Sequence, residues 1–468
     1  MKRMICFFAM MVLALPLLSQ PVLAFPTASG FGKYASGGRG GKVVEVVNLN
    51  DSGEGSLRWA LTEAGRENAT IVFRVTGVIT LKKDIRAKLH HVTIAGQTAP
   101  GLGIVYRGGK LNLGGSRDLI IRNIRGRLGK TDDGKFIGGG SIGIENADTL
   151  IIDHCCFGWS GEENMTIYDN HFTTVQWSIV HEGLYNAGHP KGARGYGAQW
   201  GGSPSTYHHN LLAHNASRSP RINGASNPHQ DCQVFMEYYN NVNYNWGNTW
   251  ACYGGEREAG PMSTHECNFV GNYYKPGPGS KSEGNFFVSI SNNRKGKVSV
   301  GPSRWFLSGN VMVGDKTATK DNWTAIRNET KYTIADLRSD GLIGYHQSYE
   351  LHYESAKAAF KHVLKRVGTI HRDAVEQRII DEVAHGRANF QGAAQRGAGF
   401  IDSSADAEGY PDYPAALAPE DADHDGMADV WELKHGLDPK NPDDRNKVSS
   451  PQGYTALEVY LNSLMGEF

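Results

Sequence analysis

The sequence predicts an all-β fold, a parallel β-helix in which short strands stack coil upon coil. Glycine accounts for 58 of the 468 residues, and short β-forming runs alternate with Gly- and Asn-rich turns from residue 25 to about residue 345. Seven of these runs end in a polar residue, mostly asparagine: Asn123, His154, Ser178, Asn210, Asn241, Asn272 and Asn310. Their successive separations are 31, 24, 32, 31, 31 and 38 residues. Such a period is typical of a solenoid, in which polar side chains at equivalent turns can hydrogen-bond along the stack.

Two other repeat architectures fit the pattern less well. A helical solenoid would show apolar residues at a 3.6-residue period, which these repeats lack. A β-propeller would need four strands per blade and longer repeats. The unequal separations also indicate that loops of different size leave one face of the coil, where we expect a functional site.

The chain begins with the features of a secretory signal peptide, over residues 1–24. Lys2 and Arg3 give a positive start, an apolar run follows over residues 5–18, and Ala24 lies in a small-residue cleavage position. No later stretch is apolar enough to span a bilayer. We therefore expect a secreted or periplasmic protein with no membrane attachment once the signal is removed.

Net charge limits the classes of partner, and the cysteine count limits the possible disulfides and metal sites. The 48 basic and 48 acidic residues give a formal net charge of zero, which argues against nucleic acid as a partner. An anionic ligand would have to be bound by local groups of charge. Five cysteines follow the signal peptide, so at least one thiol is free, and their spacing is not that of a zinc site.

The first elements of the β-helix, within residues 25–345, can be placed from local patterns. Val43–Val47 and Ile71–Val75 are rich in β-branched residues and are predicted strands. Gly55–Leu61 is predicted to be a short helix, suited to cap the amino end of the coil.

Helical spacing replaces the β pattern over residues 346–404. Apolar residues recur at helical intervals in Ser355–Val367 and again in Asp373–Ala384. We expect these two helices to pack on the outside of the coil or to cap its carboxyl end, with a purely structural role.

The last segment, residues 405–468, begins as a linker rich in Ala, Pro and Asp and continues into an acidic loop. Gly426 holds the sixth position of twelve, where an EF-hand loop turns sharply, and Met427 would contribute its carbonyl. Positions one, three, five, nine and twelve are Asp421, Asp423, Asp425, Asp429 and Glu432. This spacing predicts a structural Ca²⁺ site, and a closing amphipathic helix follows from Gly453.

A second group of charged residues falls on consecutive coils of the predicted stack. Its members are Asp153, Glu162, Glu163, Lys191, Arg218 and Arg221. Stacked strands lie about 4.8 Å apart, so residues one or two repeats apart can reach one ligand. Pro220 restricts the backbone between the two arginines and so makes a rigid cationic ledge. A face with carboxylates beside three cations suits an anionic ligand bridged by a divalent cation.

Several short motifs occur in a fixed order along residues 25–320. They include Gly30-Phe-Gly, Gly37-Gly-Arg-Gly-Gly, Ile71-Val-Phe-Arg-Val-Thr-Gly, Ile152-Asp-His, His209-Asn210 and Arg218-Ser-Pro220-Arg221. In this order and spacing, the chain resembles the pectate lyases of polysaccharide lyase family 1 over about two thirds of its length. The acidic loop of the tail is not part of this resemblance and looks like a module appended to secreted bacterial carbohydrate enzymes.

The resemblance implies a right-handed parallel β-helix that cleaves α-1,4-linked galacturonan by calcium-assisted β-elimination. By position, Arg218 would abstract the C5 proton, and Lys191 and Arg221 would act beside it by binding uronate carboxylates. The implied ligands of the active-site calcium are Asp153 together with Glu162 or Glu163. The expected partner is polygalacturonate or pectin, and we expect a monomer.

Two positions depart from the family pattern, and two aromatic residues have open roles. The family usually continues R-x-P-x-x-R, whereas this chain has Asn223 at the last place, so one substrate contact lacks its arginine. The acidic pair reads Gly161-Glu-Glu-Asn, which leaves open which glutamate binds the metal. Tyr196 and Trp200 could stack on a sugar ring or serve as core aromatics of a loop.

An arginine base poses a chemical difficulty, because free arginine is protonated at ordinary pH. Neighbouring cations disfavour the protonated guanidinium and lower its effective pKa. The same cations stabilise the enolate-like charge that forms when C5 loses its proton. We therefore expect a preference for alkaline pH.

Three alternative functions remain at this point. A pectin lyase acting on methyl-esterified polymer would have no use for the carboxylate cluster and the cationic ledge. A hydrolase would need paired aspartates as acid and base, and Asp132-Asp133 is the adjacent pair in the coil region. A non-catalytic carbohydrate-binding β-helix would have no need of Arg218 directed at C5.

Overall fold

The computed structural model describes residues 21–130, 134–222, 233–255, 264–282, 284–291, 293–294, 297–298, 301–345 and 351–468. Several residues discussed from the sequence lie outside the described residues: residues 1–20 of the predicted signal peptide, Asp132, Asp133, Asn223 and one of the five cysteines, Cys232.

Three parallel sheets run the length of the coil, and their strands are numbered in chain order. Sheet A contains β1 (Lys42–Val46), β2 (Glu67–Phe73), β5 (His90–Ala95), β8 (Arg117–Arg122), β11 (Asp148–Asp153), β14 (His171–Gln176), β17 (Ser205–His208), β20 (Gln233–Tyr239), β23 (Thr264–Val270) and β28 (Arg304–Ser308). Sheet B contains β3 (Gly77–Thr80), β6 (Ile104–Arg107), β9 (Arg125–Arg127), β12 (Cys156–Gly158), β15 (Ile179–His181), β18 (Leu211–Ala213), β21 (Val242–Tyr244), β24 (Tyr273–Lys275) and β29 (Val311–Met312). Sheet C contains β4 (Ile85–Arg86), β7 (Leu111–Asn112), β10 (Ile142–Glu145), β13 (Glu163–Tyr168), β16 (Tyr196–Trp200), β19 (Arg221–Ile222), β22 (Trp250–Gly254), β25 (Phe286–Ile290) and β30 (Ile326–Asn328). A small antiparallel hairpin pairs β26 (Asn293–Arg294) with β27 (Lys297–Val298).

The chain visits sheets A, B and C in turn, and each circuit makes one coil. In one such circuit β11, β12 and β13 follow one another through the three sheets, and β14 then returns to sheet A beside β11. Parallel connections of this kind are right-handed. The predicted fold class, a right-handed parallel β-helix, is confirmed. The two predicted strands match β1 and β2, and the predicted amino-terminal helix is α1 (Leu57–Trp59), which continues as a π-helical turn over Ala60–Ala64.

An apolar column fills the interior along sheet A. Each member is buried and stands in register with the next across all ten strands. The column contains Val44, Ile71, Ile94, Ile121, Ile152, Val175, Tyr207, Tyr238, Phe269 and Leu307. Since a shift of one residue would turn every one of these side chains outward, this column fixes the register of the stack.

The predicted polar ladder exists over the carboxyl half of the coil. The backbone amide of each member donates to the Oδ1 of the next, at 2.9–3.0 Å, from Ser178 through four asparagines to Asn322. Asn123 and His154 are not members, and their assignment from sequence was wrong. Both occupy left-handed corners with φ of 57° and 51°, and His154 stands level with Trp177, one residue before the ladder position. A polar residue that tolerates positive φ resembles a ladder residue in sequence because both end a strand.

Sheet B is covered by α4 (Ala356–Arg366) and α5 (Ala374–His385), which pack on its outer face. Arg125 of β9 donates to Glu376 of α5 at 2.7 Å, and Arg127 pairs with Asp373 at the start of that helix. Two shorter helices, α2 (Lys316–Lys320) and α3 (Ile334–Leu337), lie near the carboxyl end of the coil. Further 3₁₀ turns span Gly96–Thr98, Asn322–Ala325, Ser404–Ala407 and Asp444–Asn446.

The tail packs on the outer face of sheet A rather than extending away from the coil. Its helices are α6 (Asp429–His435) and α7 (Ala456–Leu464), and an apolar cluster joins Met427, Leu457 and Tyr460 to Ala95 of β5. Segments outside the coil therefore cover sheets A and B. In the described part of the chain, no helix has the length and apolarity needed to cross a membrane.

Candidate functional site

The Arg218–Arg221 segment lies at the corner that leads into sheet C. Its backbone is held on both sides, because Arg218 O accepts from Ala198 N at 2.8 Å and Ser219 N donates to Ala251 O at 3.1 Å. Arg218 itself has φ of 59°, a left-handed conformation that an ordinary residue keeps only where its surroundings impose it. The side chain of Arg218 is therefore placed by two neighbouring coils.

The Arg218 guanidinium is half-enclosed by polar and aromatic neighbours. Nη1 contacts the Glu163 carboxylate and donates to Gln199 Oε1 at 3.2 Å, while Cζ lies 4.2 Å from the Tyr196 ring centroid. Nε is shielded from solvent and has no hydrogen-bond partner among the described residues. Burial lowers the pKa of Arg218 against the opposing influence of Tyr253, and nearby Arg221 lowers it further. A lowered pKa is what an arginine needs to act as a base.

Arg221 stands on the outer face of sheet C beside Tyr253, a residue that sequence reasoning missed. Arg221 is 6% exposed, and its strand pairs it with Gln199 on one side and Tyr253 on the other. The guanidinium lies 5.8 Å from the Tyr253 ring centroid, and the Tyr253 hydroxyl is a hydrogen-bonding neighbour of Arg218. The signal for Tyr253 in the sequence is its outward register between Cys252 and Gly254, visible only once the strands are aligned.

Glu162, Glu163 and Lys191 lie around this corner. Glu163 opens β13 and pairs with Arg218, whereas Glu162 contacts the His189 ring and lies 3.9 Å from Arg194 Nη2. Lys191 is exposed on the same loop as His189, whose Nδ1 accepts from the Lys191 amide at 2.9 Å. The structure thus brings both glutamates and the loop that bears Lys191 to one region of sheet C.

Asp153 does not join this group, and its assignment as a ligand beside Glu162 or Glu163 was wrong. It ends β11 in sheet A, is fully buried, and accepts from Arg122 Nε and Gln176 Nε2, each at 2.8 Å. Burial acts to raise its pKa, but His154 and Arg122 hold that pKa well below its usual range. The Asp153 carboxylate is therefore ion-paired with Arg122 in sheet A, where its role is structural.

Trp200 is also excluded from substrate contact, which corrects its assignment as a sugar platform. Its side chain is 0% exposed and stacks on Tyr207 inside the coil, with ring centroids 4.7 Å apart. Trp200 shares its inward parity with Ala198, whereas Gln199 between them points outward. Tyr196, at the start of the same strand, is half-buried and presents its ring to Arg218 and Arg194.

A basic groove lies at the amino end of the same face. Phe136 lines this groove and packs edge-on against His189 at 5.0 Å, so the groove leads toward the loop of Lys191. Its basic side chains are Arg58, Lys82, Lys83 and Arg86, and Asp84 also lines it and pairs with Arg86 at 2.9 Å. An extended polyanion lying along sheet C would meet positive charge at several coils.

Calcium bound in the cleft beside Arg218 would need oxygen ligands, and the described residues supply some of them. Glu163 is paired with Arg218, and Glu162 contacts the His189 ring and lies 3.9 Å from Arg194 Nη2. Groups of three carboxylates with mutually close oxygens occur, among the described residues, only in the tail.

In the tail, two overlapping groups of carboxylates face one another. Asp421, Asp423 and Asp425 form one group, and Asp425, Glu432 and Asp444 form the other, each with its ligand atoms within 4.8 Å of one another. Burial and mutual repulsion raise the pKa of Asp425 to about 7 and that of Glu432 to about 8. These groups can bind a hard cation in place of protons.

Asp429, the predicted ninth-position ligand, has a different environment. It is the first residue of α6, and its Oδ1 accepts from Ala422 N at 2.8 Å, which closes the loop. It belongs to neither group of facing carboxylates. Asp444 lies in the cluster instead, and the sequence pattern gave no sign of it because it follows the loop by twelve residues.

Comparison with known proteins finds relatives that share one name and match nearly the whole chain. The chain is 33% identical over 446 residues to a probable pectate lyase C of Aspergillus flavus, covering 95% of this chain and 94% of that protein. The probable pectate lyase C of Aspergillus fumigatus is 33% identical over 463 residues, covering 98% of each chain. No family model matches the sequence.

Comparison with solved structures gives matches at low sequence identity. A pectate lyase bound to a hexasaccharide superposes with a TM-score of 0.49 at 15% identity, covering 77% of this chain and 100% of that chain. The major allergen from cedar pollen gives 0.48 at 16%, covering 73% and 93%. Since relatives at 33% identity span nearly the whole chain, the protein belongs to the pectate lyase family and is a polysaccharide lyase.

Proposed function

We propose that this chain is an exported pectate lyase that cleaves α-1,4-linked galacturonan by β-elimination, with Arg218 as the base. The observation that carries the proposal is the Arg218 corner: a half-buried guanidinium with a lowered pKa, fixed between β16 and β22 and flanked by Arg221. The two Aspergillus relatives are probable pectate lyases, and the cationic face of sheet C suits a polyuronate.

In the proposed reaction, Arg218 takes the proton from C5 of the uronate beside the scissile bond. The electron pair forms the C4–C5 double bond, the C4–O4 bond breaks, and the leaving oxygen takes a proton from water. Arg221 and Lys191 bind uronate carboxylates and so orient the sugar and stabilise negative charge as C5–H weakens. The ring of Tyr196 packs against the guanidinium of Arg218 in a cation–π contact, which holds the guanidinium in place.

Calcium is proposed as the cofactor of the cleft. Glu162 and Glu163 are the residues that would hold it, together with carboxylates of the substrate. When bound, it would neutralise the uronate carboxylate and acidify C5–H. For Glu163 this role requires release from Arg218, since the two are paired in the structure.

The tail loop is proposed to bind a second Ca²⁺ through Asp421, Asp423, Asp425 and Glu432. Asp423, Asp425 and Glu432 have buried carboxylate oxygens without hydrogen-bond partners among the described residues, and such oxygens are suited to bind a metal ion. The acidic loop would then be a structural site, distinct from the cleft.

The proposed export rests on the character of the first 24 residues. Phe25 is buried, and the Arg122 guanidinium lies 3.7 Å from its ring centroid. Removal of a signal peptide just before Phe25 would leave this contact in place. Amino-terminal sequencing of the exported protein should therefore begin at or near Phe25, and an uncleaved chain in the culture medium would contradict it.

The test of the lyase activity is ultraviolet absorbance of unsaturated uronate released from polygalacturonate. We expect product with calcium present and its loss after exhaustive chelation, with restoration on adding calcium back. Undiminished turnover after chelation, with a preference for methyl-esterified polymer, would instead favour a pectin lyase. Reducing ends without absorbance would indicate a hydrolase, and binding without either product would indicate a carbohydrate-binding protein.

A further inference from the structure

We propose that the metal centre of the tail is completed by Asp444, from outside the acidic loop, and that a calcium ion held there ties the tail to the first coils of sheet A. The proposal rests on calcium binding by the tail, proposed above, and adds a ligand and a consequence for the lyase fold. It concerns a site separate from the Arg218 corner.

The geometry at Asp444 supports a ligand role. Asp444 lies on the 3₁₀ turn Asp444–Asn446, and its carboxylate belongs to the group formed with Asp425 and Glu432, whose ligand oxygens lie within 4.8 Å of one another. Its Oδ2 accepts from Asp438 N at 3.0 Å, which holds the carboxylate in place. Its Oδ1 is shielded from solvent and has no partner among the described residues. One oxygen therefore orients the side chain, and the other faces the cluster.

The carboxylates of Glu432 and Asp425, which face Asp444, are buried and need a counter-charge. Glu432 is 0% exposed and Asp425 is 1% exposed. Both oxygens of Glu432 and Oδ2 of Asp425 are buried without a hydrogen-bond donor among the described residues. Burying carboxylates without a donor or counter-charge is strongly unfavourable, and like charges at this separation repel. A cation at their centre removes both costs.

The chemistry of the donors selects the class of cation. All the facing ligand atoms are carboxylate oxygens, which hard divalent ions prefer over transition metals that favour imidazole or thiolate. Calcium takes six to eight oxygen ligands at flexible angles, whereas Mg²⁺ retains much of its water. A cage of five carboxylates, from Asp421, Asp423, Asp425, Glu432 and Asp444, therefore suits calcium.

The acidic loop is bonded directly to the first coils. Asp421 pairs with Arg74, which follows β2, at 3.3 Å, and Arg74 also donates to Pro419 O at 2.6 Å. His424 Nδ1 lies 2.9 Å from an oxygen of Glu45 in β1. Ordering the loop around a cation therefore also orders its contacts with β1 and the end of β2.

The closing helix α7 and the residues after it continue this attachment across sheet A. Glu458 of α7 pairs with Arg39 at 2.7 Å. Asn462 and Glu467 accept from Arg122 at 3.0 and 2.7 Å, and Arg122 is the partner of Asp153. If the tail detached, Arg122 would lose two of its acceptors. The tail is thus an integral cover of the lyase coil, and the cation stabilises that coil.

The first experiment is calcium titration of the full chain by calorimetry, comparing wild type with Asp444→Asn. We expect Asp444→Asn to weaken the tail site by about tenfold or more, since even outer-shell changes at metal sites cost 10- to 100-fold. The matched control is Asp443→Asn, whose side chain is 94% exposed one residue away, and it should titrate like wild type. Equal titrations of Asp444→Asn and wild type would overturn the ligand assignment.

The second experiment measures hydrogen exchange of peptides from β1 and β2 with and without calcium, in wild type and Asp444→Asn. We expect calcium to increase protection of both strands in wild type and much less in the variant at the same concentration. Protection confined to residues 421–468 would overturn the tie to sheet A. Absence of any tail-dependent calcium binding in wild type would refute the proposed tail site, while the absorbance assay on polygalacturonate reports separately on the lyase.

Discussion

Replacing Arg218 with lysine should remove most of the activity and leave the fold intact. Lysine keeps one positive charge for Glu163 but loses the planar fork, and with it the hydrogen bond to Gln199 at 3.2 Å and the contact with the Tyr196 ring at 4.2 Å. Each lost contact contributes about 1 kcal/mol, so the free energy of unfolding should fall by about 1–2 kcal/mol.

The effect on the transition state should be larger than the effect on stability. Deleting a general base costs about a hundredfold or more in rate, which corresponds to at least about 2.7 kcal/mol of activation free energy. The assay is initial-rate absorbance on polygalacturonate in saturating calcium, with thermal unfolding measured on the same preparation. Arg218→Lys should therefore lose turnover while keeping a single unfolding transition.

Arg378→Lys is the matched control for this substitution. Arg378 also has a buried carboxylate partner, Glu182 at 2.9 Å, and an aromatic neighbour, Phe390 at 5.0 Å, but it lies over sheet B. The side chains of Arg218 and Arg378 are 16% and 15% exposed. Arg378→Lys should lose similar stability with near-normal turnover. A third of wild-type activity in Arg218→Lys, or an equal loss in both variants, would refute Arg218 as the base.

Three further results are expected. Lys191→Ala should raise KM several-fold together with a smaller loss of kcat, because an exposed cation that binds uronate is removed; an unchanged KM on polygalacturonate would contradict this role. Tyr253→Phe keeps the ring beside Arg221 and removes the hydroxyl near Arg218, so the loss of one hydrogen bond should lower kcat about tenfold with KM unchanged, and the opposite split would exclude Tyr253 from positioning the base. Burial lowers the pKa of His209 to about 4, so the unfolded chain binds a proton that the folded protein resists; stability should be complete above about pH 6.5 and fall by up to about 3 kcal/mol toward pH 4. Denaturant unfolding of His209→Gln should show a shallower acid slope, and an identical slope would assign the acid sensitivity elsewhere.

The fold could be predicted because a polar residue recurs at a regular interval where successive strands end. Short apolar runs that close with Asn210, Asn241 and Asn272 recur at a nearly constant interval, and the ladder they form is present. The first two positions of the predicted repeat were misaligned, since Asn123 and His154 occupy left-handed corners one residue ahead of the ladder. Corner and ladder residues are both polar and adjacent, so only hydrogen-bond geometry separates them.

The site could be predicted only where one segment carries the geometry. Arg218 and Arg221 lie on a single short corner, and the structure keeps them together. Asp153 precedes a bend, and sequence does not show which of three outer faces a residue beside a bend will take. Trp200 could have been excluded by strand parity with Ala198, whereas Asp444 lies outside any motif that would have suggested it.

The attachment of the tail to sheet A has a consequence for the order in which the chain folds. Thr27 donates to Glu467 at 2.7 Å across a separation of 440 residues, whereas neighbouring coils join residues only one repeat apart. A coil can therefore grow by local steps during synthesis, but its first strands stay uncovered until the final sixty or so residues arrive. Closing so long a loop is slow relative to adding the next coil. We expect refolding to end with the burial of Arg122 and Ala95, and the amino-terminal coils to be the part of a nascent chain most dependent on a chaperone.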